Sequence, residues 1–229
     1  MRTIGVLGGI GPQATMDFEA RVHAVAQGLI PQSVNRGYPP MVSVYIRHPP
    51  VMLEQDGRPR QPLTLDMRVL ETVGRLGEWA DILVIPCNTP HLFIEEIRGA
   101  AGCEVLSIVE VTVAELRRRG PGPVGLVGFG IPQVYTERFE QERFEVLSLP
   151  AELRRRLDDA ILRLMEGVTE DRHRKVAREA VESARAAGAA VTVLGCTEIP
   201  LLLGDDADQP DLVNPAQLLA EVAVRRSIE

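Results

Sequence analysis

Two cysteines stand out by what surrounds them. Cys87 lies in Pro86-Cys87-Asn88-Thr89-Pro90-His91, and Cys196 in Gly195-Cys196-Thr197-Glu198-Ile199-Pro200. Each follows an apolar run that reads as a buried strand, Asp81–Pro86 and Ala190–Leu194, and each precedes a helix. A thiol in such a place suits proton transfer, because its unperturbed pKa of about 8.5 keeps thiol and thiolate both accessible near neutral pH. The first N–H groups of a following helix favour a thiolate and can hold a carboxylate. Two thiols on opposite faces of a carbon acid can invert it, one thiolate abstracting the proton while the other thiol donates. Asn88, Thr89 and Thr197 sit beside the sulfurs and can donate hydrogen bonds where charge develops on a substrate carboxylate. Inert core cysteine is the bland alternative. The polar neighbours speak against it, since buried amides and hydroxyls need partners.

Other residues near the strand ends have open roles. His91, four after Cys87, can tune the thiolate or the substrate. Glu198, two after Cys196, either orients a proton carrier or caps the next helix. Arg47 and His48 follow a strand at Met41–Ile46; they fit an anionic group of a small substrate, or they are surface residues near a loop. The turn Gly8-Gly9-Ile10-Gly11 follows the strand Ile4–Leu7 but lacks the acidic residue that a dinucleotide fingerprint places at the end of the second strand. Gly9 in that turn is assigned to close backbone approach to a carboxylate. Cys103, without such polar neighbours, is read as structural, and His23 and His173 as structural or solvated.

The elements that must position these residues alternate. Helices are expected at 14–26, 65–76, 92–100, 111–119, 133–145, 151–165, 170–187 and 215–227, with strands at 4–7, 41–46, 81–86, 105–108, 124–127 and 190–194 and a Pro- and Gly-rich loop at 48–62. Apolar strands alternating with amphipathic helices mean an α/β fold with parallel sheets buried on both faces. The chain also echoes itself. Ile4–Pro12 returns as Val124–Pro132, offset by 120, and the strand before Cys87 returns before Cys196, offset by 109. Two related halves, each with a glycine turn early and a cysteine late, are the simplest account.

Composition narrows the function classes. The chain has 229 residues, 45% hydrophobic and 25% charged, and a formal charge of −7, which argues against general affinity for nucleic acid or an anionic membrane surface. Three cysteines are too few for a disulfide scaffold, and four scattered histidines offer no metal spacing. Gly8, Gly9, Gly11 and Pro12 interrupt the first apolar run too early for a signal peptide, so the cytoplasm is expected. Lys175 is the sole lysine, in a charged run that reads as a solvated helix face, so pyridoxal phosphate lacks a suitable Schiff-base partner. No cofactor and no metal are expected.

Three segments in order, Gly8-Gly9-Ile10-Gly11-Pro12-Gln13-Ala14-Thr15, Pro86–His91 and Gly195–Ile199, closely resemble the aspartate/glutamate racemase family, nearest its aspartate racemase-like branch. The resemblance runs from the first strand to the last helix. It implies two pseudo-symmetric, Rossmann-like three-layer α/β subdomains, residues 1–104 plus 205–229 and residues 105–204, with the active site in the cleft between them. It also implies cofactor-independent racemisation by Cys87 and Cys196, an amino acid or related carboxylate as substrate, and a homodimer. Asn88, Thr89 and Thr197 match the family's α-carboxylate contacts, and Arg47 its arginine for a side-chain carboxylate. Two departures leave a neutral side chain open beside an acidic one. An expected helix lysine is replaced near Leu164-Met165-Glu166-Gly167, and a hydroxyl-bearing turn is replaced by Gly128-Phe129-Gly130-Ile131-Pro132-Gln133. Hydantoin racemase or maleate isomerase-like chemistry on this fold, and non-catalytic binding of a small carboxylate, remain alternatives.

Overall fold

Every residue of four strands, β1 (Ile4–Gly8), β3 (Ile82–Val84), β5 (Val124–Val127) and β7 (Val191–Leu194), is buried. Successive side chains on a strand face opposite sides, so strands buried throughout must be covered by helices on both faces. The computed structural model, which describes residues 1–34, 36–55 and 59–229, meets that requirement twice. The chain divides into two compact units, Met1–Ile108 with Gln217–Glu229, and Val109–Ala216.

The first unit carries α1 (Pro12–Leu29), β2 (Met41–Tyr45), α2 (Met67–Gly77), a 3-10 turn (Thr89–Phe93), α3 (Ile94–Ala101) and β4 (Glu104–Val105) around β1 and β3. Its four strands are all parallel, in the order β2-β1-β3-β4. Leu7, Leu83 and Ile85 pack with Val69, Val73 and Leu76 of α2 and Ile97 of α3. Asp66 caps α2, accepting the Arg68 N–H at 2.9 Å and its guanidinium at 2.6 Å. That guanidinium, with the His48 ring 3.8 Å away, holds the Asp66 carboxyl down at about 2 against the opposing effect of burial.

The second unit repeats the plan. α4 (Ile108–Arg119) leads in from the first unit. Then follow β5, α5 (Gln133–Gln141), β6 (Val146–Ser148), α6 (Ala151–Met165), α7 (Asp171–Ala186), β7, α8 (Ile199–Leu203), a 3-10 turn (Gly204–Asp208) and β8 (Leu212–Val213). α9 (Pro215–Ile228) closes the chain. The sheet order is β6-β5-β7-β8, again all parallel and again second, first, third, fourth. The α/β class and the two similar subdomains read from the internal echo are therefore the fold of this chain.

Several boundaries differ from the sequence reading, each for a physical reason. The expected helix at 133–145 stops at Gln141, because Arg143 takes φ +60, and the chain then pairs as β6. No glycine or proline marks that stop. β8 was not expected. Its pairing with β7 places residues 205–216 in the second unit, whereas the resemblance assigned them to the first. Ile108, expected to end a strand, begins α4. Of the loop expected at 48–62, residues 56–58 lie outside the described residues, and its flanks form isolated bridges Val51–Leu65 and Leu53–Pro59. Among the described residues no helix is long and apolar enough to cross a membrane.

Candidate active site

In a parallel sheet of this order, ligands bind outside the carboxyl ends of the strands, where the chain's winding reverses between the first and third strands. That switch point is β1/β3 in the first unit and β5/β7 in the second. Cys87 follows β3 and Cys196 follows β7, so each unit puts a cysteine at its own switch point. Cys103 lies just before β4, at the opposite, amino end of its sheet. Burial and the charge of Asp81 push its thiol up, away from reactivity. The structure thus places Cys103 at the end of its sheet opposite to the one Cys87 follows.

Around Cys87 the turn after β1 is held by a threonine that sequence reasoning left without a role. Thr15 Oγ1 accepts the Gly9 N–H at 3.0 Å and donates to the Gly11 carbonyl at 2.9 Å, and Thr15 is buried. Its signal was available: a threonine four residues after a turn glycine, in the first turn of a helix, can bond back to that carbonyl. The Gly9 N–H is thereby committed within the turn, and what the glycine supplies is close approach. Gly9 has φ +83, and a Cβ there would lie 2.5 Å from the Ile46 carbonyl oxygen and 2.9 Å from Tyr45 Cα. Gly9→Ala is therefore expected to force the ends of β1 and β2 apart, at a cost of about 2–4 kcal/mol in unfolding free energy. Chemical denaturation measures it; a variant within about 0.5 kcal/mol of the parent would contradict this account of the turn.

Cys87 itself is partly buried and packs against the core that contains Leu7 and Ile85. Asn88 precedes the 3-10 turn without capping it through its side chain, and Thr89 is its first residue, half-buried. His91 does not stack one α-helical turn above Cys87, because the segment is a 3-10 turn, with the His91 N–H donating to the Asn88 carbonyl at 3.0 Å. With about three residues per turn, a spacing of four no longer shares a face. The buried ring instead meets the Ile85 carbonyl oxygen through Nε2 at 3.1 Å, so that nitrogen carries the proton and braces the strand end two residues before Cys87. Arg47 is exposed past the end of β2, its guanidinium 5.4 Å over the Tyr45 ring. Burial and the neighbouring Glu19 carboxylate push the Tyr45 phenol up, with Arg47 working against them.

Around Cys196 the polar groups are drawn together more tightly. The Cys196 thiol donates to Glu198 Oε2 at 3.0 Å, and the Thr197 hydroxyl donates to the same oxygen at 3.1 Å. Thr197 and Glu198 are each only 6% exposed. The Glu198 carboxylate thus accepts from the neighbouring thiol and hydroxyl. Its side chain makes no helix-capping hydrogen bond to α8. The turn after β5 abuts this loop, with the Gly195 N–H donating to the Val127 carbonyl at 2.6 Å. A Cβ on Gly128 would lie 3.1 Å from the Gly195 carbonyl oxygen. Asp158 of α6 fixes the turn by accepting the Gly130 N–H at 2.7 Å, a contact between positions 28 apart that no local pattern announces. Among the described residues, no group of three or more His, Cys, Asp and Glu side chains is placed to hold a metal ion.

Comparisons with known proteins bear on the fold and the family. The fold of the aspartate racemase from Picrophilus torridus superposes with a TM-score of 0.78 at 15% identity, covering 99% of this chain and 94% of that one. An aspartate racemase homologue from Pyrococcus horikoshii OT3 gives 0.74 at 19% identity over the whole of both chains. At such identities these likenesses speak for the fold alone. In sequence, the broad specificity amino-acid racemase RacX of Bacillus subtilis (strain 168) is 32% identical over 114 residues, 49% of this chain and 48% of that protein, so this chain spans about half the length of that relative. The model of the Asp/Glu/hydantoin racemase family matches residues 7–223, nearly end to end, and the chain belongs to that family.

Proposed function

We propose that the protein is a cofactor-independent amino acid racemase, acting on aspartate, glutamate or a related amino acid, with Cys87 and Cys196 as its two proton carriers. The observation that carries the reading is the repeated placement of one cysteine at the switch point of each of two identically ordered sheets. In one direction the Cys87 thiolate takes the α-proton and the Cys196 thiol delivers one to the opposite face; in the other direction the roles exchange. No bond to carbon other than C–H is broken, and each turnover leaves the two sulfurs with exchanged protonation. Glu198 serves Cys196 by accepting its proton and returning it, since the two groups already share a hydrogen bond. Asn88, Thr89 and Thr197 are proposed to hold the substrate α-carboxylate, and Arg47 a substrate carboxylate from the first unit. His91 supports Cys87 through the strand end it braces.

The test is isotopic. Each enantiomer of a panel of amino acids is incubated with the protein in D2O and followed by NMR. Racemisation by this route incorporates deuterium at the α-carbon as optical activity is lost. Saturable binding of a carboxylate with no exchange across the panel would make the protein a binding module, and isomerisation of a double bond without α-exchange would move it to the maleate isomerase-like reading.

A further inference from the structure

Helices α6 and α7 share an apolar cluster, with Leu157, Ala160 and Ile161 from one and Ala177, Ala180 and Val181 from the other. Beside that cluster they leave a groove of about 520 Å3. Its α6 wall is Glu152, Arg155, Arg156 and Asp159, spaced so that one helical face presents all four. Its α7 wall is Arg172, Lys175 and Val176, together with His173, which is only 3% exposed. Four of these side chains are cations and two are carboxylates, in a chain whose formal charge is −7. Arg156 is spent on Glu179 of α7, with bonds of 2.9 and 2.7 Å, and Arg155 pairs with Glu152. Lys175, the sole lysine, is exposed and makes no ion pair with any described residue. His173 adds a buried donor. Its Nδ1 accepts the Glu170 N–H at 3.2 Å, closing the capping box that starts α7. A neutral ring that accepts at Nδ1 carries its proton on Nε2. Nε2 lies 3.3 Å from Arg172 Nε, which is itself a donor and is directed at Glu170 Oε2, 3.0 Å away. The Nε2–H therefore finds no acceptor among the described residues, at the edge of a groove lined by Arg172 and Lys175.

We propose that the α6–α7 groove binds a small anion carrying a phosphate or carboxylate group, held by His173 Nε2, Arg172 and Lys175. An anionic oxygen there accepts the proton that the buried imidazole presents, and a buried donor left without an acceptor is costly. The same oxygen draws on the guanidinium of Arg172 and the ammonium of Lys175, which stand three residues apart on one face of α7. General attraction of anions does not explain such binding, because the net charge of the chain opposes it. The inference goes beyond the racemase reading and does not depend on it, since no residue from Gly195 to Glu198 lines the groove.

The experiment follows the two kinds of donor separately by NMR. Reductive 13C-methylation keeps the lysine charge and gives one lysine signal, that of Lys175, beside that of the α-amine. Labelling with 15N-histidine reports His173 Nε2. Sodium phosphate and sodium succinate are titrated in separate arms, with ionic strength held constant by sodium chloride. A saturable shift of both signals is expected in at least one arm, and the arm that saturates identifies the anionic group. Read at His173, Lys175→Ala and Arg172→Ala should each weaken binding by roughly tenfold or more. Arg174→Ala removes the same charge from the same turn of α7, at an exposed residue that does not line the groove. It should leave the affinity within about twofold of the parent. Shifts that fail to saturate in both arms, or that sodium chloride alone reproduces, overturn the proposal. A shift at Lys175 without one at His173 places the anion on the solvated rim and overturns it too, as does an equal loss in Arg174→Ala.

Discussion

Cys87→Ser and Cys196→Ser are each expected to abolish racemisation, with kcat/KM falling by roughly a thousandfold or more. Serine preserves the shape of the side chain, but its hydroxyl is far less acidic than a thiol, so it neither forms a usable base near neutral pH nor donates as readily. Inversion needs both carriers in one turnover, so either loss stops it. Exchange does not need both. With one thiolate left, the enantiomer whose α-proton faces that sulfur can still be deprotonated, and deuterium can return to the same face with retention. The two variants are therefore expected to keep exchange for opposite enantiomers. Measuring optical activity and deuterium content together reads this out. Two variants that exchange the same enantiomer, or either one racemising within tenfold of the parent, would remove the two-base mechanism. Cys103→Ser is the internal control, because that residue lies at the amino end of its sheet, away from the carboxyl ends where Cys87 and Cys196 lie.

How much of this was legible in the sequence depends on the range of the interaction concerned. The strands after which the cysteines come were visible because they are largely apolar runs broken by Pro86-Cys87-Asn88 and Gly195-Cys196-Thr197, a contrast that survives without any knowledge of the fold. The echo between Ile4–Pro12 and Val124–Pro132 was visible for the same reason, and the equal sheet orders give it its structural meaning. β6 and β8 escaped because they are three and two residues long. β6 is also half-exposed, so neither strand carries a period long enough to register. At the site, the contact from Cys196 to Glu198 spans two residues and was anticipated as one of two options. The turn of His91 toward Ile85 was not. It depends on whether the chain after Cys87 winds with three residues per turn or with 3.6, and the sequence carries both possibilities. Asp158 lay beyond reach altogether, since its partner Gly130 is a backbone group on a different element.

The buried carboxylate is where the second large effect is expected. Glu198→Gln should lower kcat/KM for racemisation by about a hundredfold near neutral pH, within the usual range for losing a general acid–base partner. In the parent the Cys196 thiol donates to Glu198 Oε2 at 3.0 Å. To act as a base, Cys196 must shed that proton, and the carboxylate is the acceptor already bonded to it. A glutamine keeps the size and can still accept from Cys196 and Thr197 through its oxygen, but it cannot take a proton. The thiol must then ionise to solvent. The loss should therefore shrink as pH rises, because hydroxide increasingly takes the proton that Glu198 otherwise accepts. Because the equilibrium constant for racemisation is one, the fall in kcat/KM must be equal for both enantiomers, even though a single sulfur is affected. Exchange under single-base conditions is not so constrained, and in a Cys87→Ser background Glu198→Gln should suppress the exchange that Cys196 still performs. In a Cys196→Ser background it should leave the exchange performed by Cys87 untouched. A pH-independent loss, or equal suppression in both backgrounds, would reduce Glu198 to a packing residue and leave Cys196 to ionise unaided.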